Sequence, residues 1–90
     1  MPSFLVETYL ARGGAGDSAT RERRARSAAE ELTREGTRVR FDCSIHVPAD
    51  EICFFVFDAA SGREATLAAE RAQLDPIRVV EAVSSGKEER

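Results

Sequence analysis

The chain has no tryptophan, a single histidine, only two cysteines and three prolines. No apolar run approaches the roughly 20 residues needed to cross a bilayer as a helix, and no membrane role is expected. Met1-Pro2-Ser3-Phe4 does not open a signal peptide. Two cysteines make no disulfide scaffold, so a reducing cytoplasm is the expected setting. A zinc cysteine box, a serine nucleophile elbow and paired carboxylates at helical spacing are all missing. An excess of positive charge is missing too: 13 basic side chains face 16 acidic ones. That balance argues against a general nucleic-acid binder.

What is present is a globular composition of 90 residues, enough for one domain with a modest core. Its greasiest stretch is Glu51-Ile52-Cys53-Phe54-Phe55-Val56-Phe57-Asp58. As a strand it is apolar on both faces, with Ile52, Phe54 and Val56 on one and Cys53, Phe55 and Phe57 on the other. Such a strand needs cover on both sides.

The remaining elements read in order. Residues 3–10 form a first strand. A glycine-rich connector leads to a helix capped by Asp17 or Ser18 and running to about Glu35, with Gly36 as its stop. Ala25, Ala28, Ala29 and Leu32 make its buried stripe, and Glu22 with Arg26 and Glu30 with Arg34 are spaced for ion pairs. Residues 37–47 alternate cleanly, Thr37, Val39, Phe41, Cys43, Ile45 and Val47 on one face against Arg38, Arg40, Asp42, Ser44 and His46 on the other. Pro48 ends that strand, and the apolar run follows as its hairpin partner. Ser61 and Glu64 form a capping box for a second helix over 61–73, with Ala65, Ala68, Ala69 and Ala72 buried. A last strand spans 77–83, and residues 84–90 read as a disordered polar tail behind a single domain of residues 1–83.

The order βαββαβ is that of a ferredoxin-like α+β sandwich. Two helices lie on one face of a four-stranded antiparallel sheet ordered 4-1-3-2. A short turn between the middle strands puts Val47 opposite Ile52. Cys43 then faces Val56, Ser44 faces Phe55 and His46 faces Cys53. The alternation assigns Ile52, Phe54 and Val56 to the helices. Cys53, Phe55 and Phe57 are left for a second copy of the chain, because exposing them would forgo roughly 4–8 kcal/mol. A homodimer is therefore expected.

Residues 44–82 also carry a resemblance. Ser44, Val47-Pro48, Asp50-Glu51, Cys53-Phe54, Phe57-Asp58-Ala59, Ala72, Leu74 and Arg78-Val79-Val80-Glu81-Ala82 resemble a family of small ferredoxin-like bacterial proteins. Some of that family are described as nickel-binding and more as domains of unknown function. The resemblance implies a dimeric α+β barrel and, in the nickel-binding branch, histidine ligands around the second helix. Here that helix reads Ala68-Ala69-Glu70-Arg71-Ala72-Gln73-Leu74, without histidine.

Three sets of residues are candidates for function. His46 opposite Cys53 is a thiol–imidazole pair suited to nickel or zinc, against the plainer reading of a half-buried histidine beside a hydrophobic thiol. Glu7, Tyr9, Arg40 and Asp42, with Ser44 and His46, are expected to line a cavity on the sheet face away from the helices. Cys53, Phe55 and Phe57 join them there, a mixture suited to a small ligand or to proton transfer. Arg21-Glu22-Arg23-Arg24-Ala25-Arg26 opposes the helix dipole; it reads as a solvated face, with an acidic partner as the functional alternative. The degenerate G-x-G-x-x-A of Gly14 to Ala19 reads as a plain loop, since the chain is too short for a dinucleotide fold. A small binding protein holding a metal or small molecule between subunits is the favoured function. A cofactor-independent α+β-barrel monooxygenase or isomerase is the alternative.

Overall fold

The computed structural model describes residues 1–83, with Ala15 and Gly16 described by backbone alone. The tail expected over residues 84–90 lies outside the described residues. The elements are β1 (Ser3–Tyr9), α1 (Ala15–Arg34), β2 (Val39–Val47), β3 (Ile52–Ala59), α2 (Gly62–Arg71) and β4 (Arg78–Ala82). A single 3-10 turn, Pro48–Asp50, closes the β2–β3 hairpin. The fold is the expected ferredoxin-like α+β sandwich, with an antiparallel sheet ordered β2-β3-β1-β4.

Local chemistry sets the ends of the helices. Gly36, at φ 104°, ends α1, and the Thr37 and Gly36 amides donate back to the carbonyls of Leu32 and Thr33. That is a Schellman motif, which needs a left-handed residue after the cap. Helix α2 ends in the same pattern on Gln73, at φ 59°, without the steric freedom of glycine. Helix α1 starts earlier than Asp17 or Ser18: its cap is Gly14. A Cβ there would sit 2.8 Å from Leu10 Cδ1 and 3.0 Å from the Ala11 carbonyl oxygen, so the site admits only glycine without a shift. Asp17 lies in the first turn instead and pairs with Arg21 at 2.9 Å.

The core lies between the helices and one sheet face. Ala25, Ala28, Ala29 and Leu32 of α1, with Ala65, Ala68 and Ala69 of α2, meet Phe4, Val6, Phe41, Cys53, Phe55 and Phe57. The alanines let the helices approach the sheet closely, and Phe41, Phe55 and Phe57 fill the space, the Phe41 ring centroid lying 6.2 Å from that of Phe55 and 5.5 Å from that of Phe57. This reverses the expected use of β3. The Cys53, Phe55 and Phe57 face packs on the helices, and Ile52, Phe54 and Val56 look out from the open side.

A β-bulge explains the reversal. The register of β2 on β3 runs Phe41 to Phe57, then Cys43 to Val56, so Asp42 has no partner. Before the bulge Val39 and Phe41 point to the helices. After it the faces exchange, Ser44 and His46 point inward, and Cys43, Ile45 and Val47 point out. The hairpin partners themselves are those read from the sequence: Cys43 with Val56, Ser44 with Phe55, His46 with Cys53 and Val47 with Ile52.

Candidate functional site

The open sheet face is built in rows set by the strand register. Arg40, Asp58, Ser3 and Ala82 form one row across β2, β3, β1 and β4. Cys43, Val56, Leu5 and Val80 form the next, then Ile45, Phe54, Glu7 and Arg78, and last Val47, Ile52 and Tyr9. Two rows are apolar or nearly so, and a third is apolar over half its width. Tyr9 is 57% exposed and Ile45 48%.

The charges on this face are already paired with each other. Arg40 binds Asp58 through two guanidinium nitrogens, and the Ser3 hydroxyl donates to the same carboxylate at 2.8 Å. Partial burial alone would push the Asp58 carboxyl up, but the hydrogen bonds from Arg40 and Ser3 outweigh it and hold it below the usual range. Glu7 accepts from Arg78 Nε at 2.9 Å. Of the expected cavity residues, Glu7, Tyr9 and Arg40 do lie on this face, and Asp42 sits exposed at the bulge. Their partners Asp58, Ser3 and Arg78 were missed. The alternation of β3 could have placed Asp58 on the face of Phe54, but Ser3 meets Asp58 and Arg78 meets Glu7 only through pairings that no short turn reveals.

Ser44, His46, Cys53, Phe55 and Phe57 do not join that cavity; they lie under the helices. Cys53 is wholly buried, and burial pushes its thiol up, with Glu22 adding to the shift and Arg21 opposing it. Thr8 donates to the Cys53 carbonyl at 2.8 Å, and the Ser44 hydroxyl donates to Glu22 of α1. His46 Nε2 is buried and has no hydrogen-bond partner among the described residues.

This geometry does not fit a nickel or zinc site. A thiol ligand binds as thiolate, which burial disfavours here. Among the described residues no three or more His, Cys, Asp or Glu side chains converge where a metal could be held. A dimer axis through the open face would not bring two His46–Cys53 pairs together, because the pair is on the other side of the sheet.

The arginines of the run from Arg21 to Arg26 are engaged rather than idle. Arg21 donates to the Tyr9 carbonyl at 3.0 Å. Arg24 donates to the carbonyls of Ala72 and Gln73, which satisfies the exposed end of α2. Arg26 stands over the Phe41 ring, 5.1 Å from its centroid. The expected Glu22–Arg26 and Glu30–Arg34 pairs are not formed; Glu22 turns inward to Ser44 instead. Across the helix layer Arg71 bridges α2 to Glu35, the residue that caps α1, 2.7 Å away, and to Glu31 of α1.

A second concave feature lies on the edge of the molecule. A cleft of about 480 Å³ separates the C-terminal half of α1 from the start of β2. Ala29, Val39 and Phe41 line it together with Arg26, Arg34, Arg38 and Arg40.

Compared with known protein families and with curated proteins, the chain matches none. Among solved structures it is similar to SCO4226 from Streptomyces coelicolor A3(2), with a TM-score of 0.67 and 18% identity. The match covers 93% of this chain and 99% of that one. At this identity the likeness establishes the shared fold. No helix among the described residues is long and apolar enough to cross a membrane.

Proposed function

We propose that the protein is a non-enzymatic binding protein that works as a homodimer, two sheets facing each other across a space that holds a small molecule. One observation carries this reading: the open face presents Leu5, Ile45, Ile52, Phe54 and Val80 while its charges are internally paired. A sheet face meant for water alternates to polar residues; this one does not, and an apolar patch of this kind marks an interaction surface. Pairing Arg40 with Asp58 and Glu7 with Arg78 means that a partner can cover the face without stranding a charge. A symmetric interface is self-complementary, and Tyr9 at the margin supplies a polar group for a ligand.

The metal form of the reading ranks below the small-molecule form, because His46 and Cys53 supply only two donors and lie beneath α1. The enzymatic alternative ranks below both. It relied on His46 as an acid–base group in the cavity, and only Tyr9 and Asp42 of its candidates remain outside the helix layer.

Native mass spectrometry of freshly purified protein, with sedimentation at micromolar concentration, tests the proposal. A dimer carrying extra mass of small-organic size is expected, and Phe54→Glu should give a folded monomer without that mass. A wild-type monomer would overturn the proposal. A bare dimer that releases nothing on activation would leave the interface and remove the ligand.

A further inference from the structure

We infer that the cleft between α1 and β2 is a second binding site, one per protomer, for a small carboxylate with a flat apolar body. It lies at the sheet edge, shares only Arg40 with the open face, and does not depend on dimerisation.

Charge and shape together support this. Four arginines and one glutamate, Glu30, line the cleft in a chain whose formal charge is −3. Positive charge has therefore been gathered here against the overall balance. Two of the four arginines have other work: Arg40 holds Asp58, and Arg26 lies over Phe41. The other two, Arg34 and Arg38, are exposed and make no ion pair or side-chain hydrogen bond among the described residues. They come from the last turn of α1 and from the residue before β2, the two elements that line the cleft. Two guanidinium forks set this way suit a carboxylate, which arginine binds through paired N–H donors.

Between them the lining is apolar. Ala29 and Thr33 form one wall, and Val39 and Phe41 the other. The small Ala29 is what leaves room against the strand. The volume of about 480 Å³ is that of a small-ligand pocket, which spans roughly 300–1,000 Å³. An apolar slot lined by two arginines that hold no ion pair selects an anion with a hydrophobic body over either a bare ion or a neutral hydrocarbon. An acidic protein segment would instead need a longer contact than a space of about 480 Å³ offers.

The test uses the full chain labelled with nitrogen-15 and titrated with naphthoate, then with naphthalenemethanol as the neutral analogue. Saturable amide shifts are expected at Ala29 to Arg34 and at Arg38 to Phe41. The alcohol should bind at least about tenfold more weakly, the equivalent of one good charged contact. Arg34→Gln with Arg38→Gln should weaken naphthoate by a similar factor while leaving the spectrum of the free protein dispersed, since both side chains are exposed. Three results would overturn the site: no saturable shifts at millimolar naphthoate, equal binding of acid and alcohol, or unchanged affinity in the double variant. Shifts confined to Leu5, Phe54 and Val80 would move binding to the open face and equally remove this site. The open-face proposal is read from mass and oligomeric state, so either can fail alone.

Discussion

The two faces of the sheet are made by the same strands, yet one is finished and the other is not. On the helix side Phe4, Val6, Thr8, Cys53, Phe55 and Phe57 are buried within a single chain, and the Thr8 and Ser44 hydroxyls donate to the Cys53 carbonyl and to Glu22, with His46 Nε2 left without a partner among the described residues. On the open side Leu5, Ile52, Phe54 and Val80 are only partly covered, and the charged groups are tied to each other. The inner face holds the fold together. The outer face has been made ready for something else to complete it, and that division is what the proposed dimer depends on.

Neighbouring phenylalanines put the division to its hardest test. Phe55 is wholly buried, and Phe55→Ala should cost about 3–5 kcal/mol through lost transfer energy and the cavity left behind. That is a large share of a domain's roughly 5–15 kcal/mol. Phe54→Ala should cost only about 1–2 kcal/mol in dilute protein, where the side chain is already partly exposed. At high concentration its cost should grow, because wild type gains stability from association and the variant does not. Urea melts at two protein concentrations read both effects. Equal losses in the dilute samples would mean that the two faces contribute alike.

Much of this architecture was legible in the sequence. Element order, the Gly36 stop and the β2–β3 partners followed from spacing and from a short proline turn that leaves little choice of register. Which face of β3 meets the helices did not follow. That strand is apolar on both sides, so its own pattern offers no preference, and the decision passed to β2. There Asp42 looks like one more outward polar residue in a perfect alternation. As an unpaired bulge residue it divides Val39 and Phe41 from Cys43, Ile45 and Val47, and one inserted residue was enough to invert the assignment of every side chain beyond it. The β1–β3 pairing would have corrected this, since Glu7 lies opposite Phe54. No hairpin joins those strands, so that register cannot be counted from a turn. The arginine cleft was hidden for a related reason: Arg34 and Arg38 are ordinary helix-end and loop residues until folding brings them to one cleft.

A smaller effect separates the faces by pH. Asp58 has its folded pKa below the usual value, so its stabilising contribution is present above the unfolded pKa and is lost as pH falls through the folded one. Asp58→Asn should cost about 1 kcal/mol at neutral pH, a modest figure because Arg40 is 72% exposed and its attraction is screened. The gap between variant and wild type should begin to narrow near about pH 4, where the carboxyl protonates in the unfolded chain, and close as pH falls through the lower folded pKa. Glu35 and Glu64 are also held low, first by hydrogen bonds from Arg71 and Ser61 respectively, so wild-type acid sensitivity alone does not isolate Asp58. The difference between melts of the two proteins across pH does. A gap that is constant from neutral to acid pH would show that the Asp58 carboxylate contributes nothing to the open face.

The smallest expected change comes from the residue that divides β2. Asp42 is exposed and unpaired in the ladder. Deleting it would leave Val39, Phe41, Ser44 and His46 facing the helices, with Arg40, Cys43, Ile45 and Val47 facing out, now in unbroken alternation. Neither the Phe41–Phe57 pairing nor the Cys43–Val56 pairing has to move. The cost should therefore stay below about 1 kcal/mol, a shift of only a few degrees in Tm for a chain of this size. What the bulge adds is local bend and twist at an edge strand, beside both the cleft and the open face. The deletion should accordingly leave the fold intact while altering the oligomeric state or naphthoate affinity, measured by sedimentation and by the same amide titration. Collapse of the fold would show instead that Phe41 and Ser44 do not share a face, and the two-faced description of the sheet would have to be abandoned.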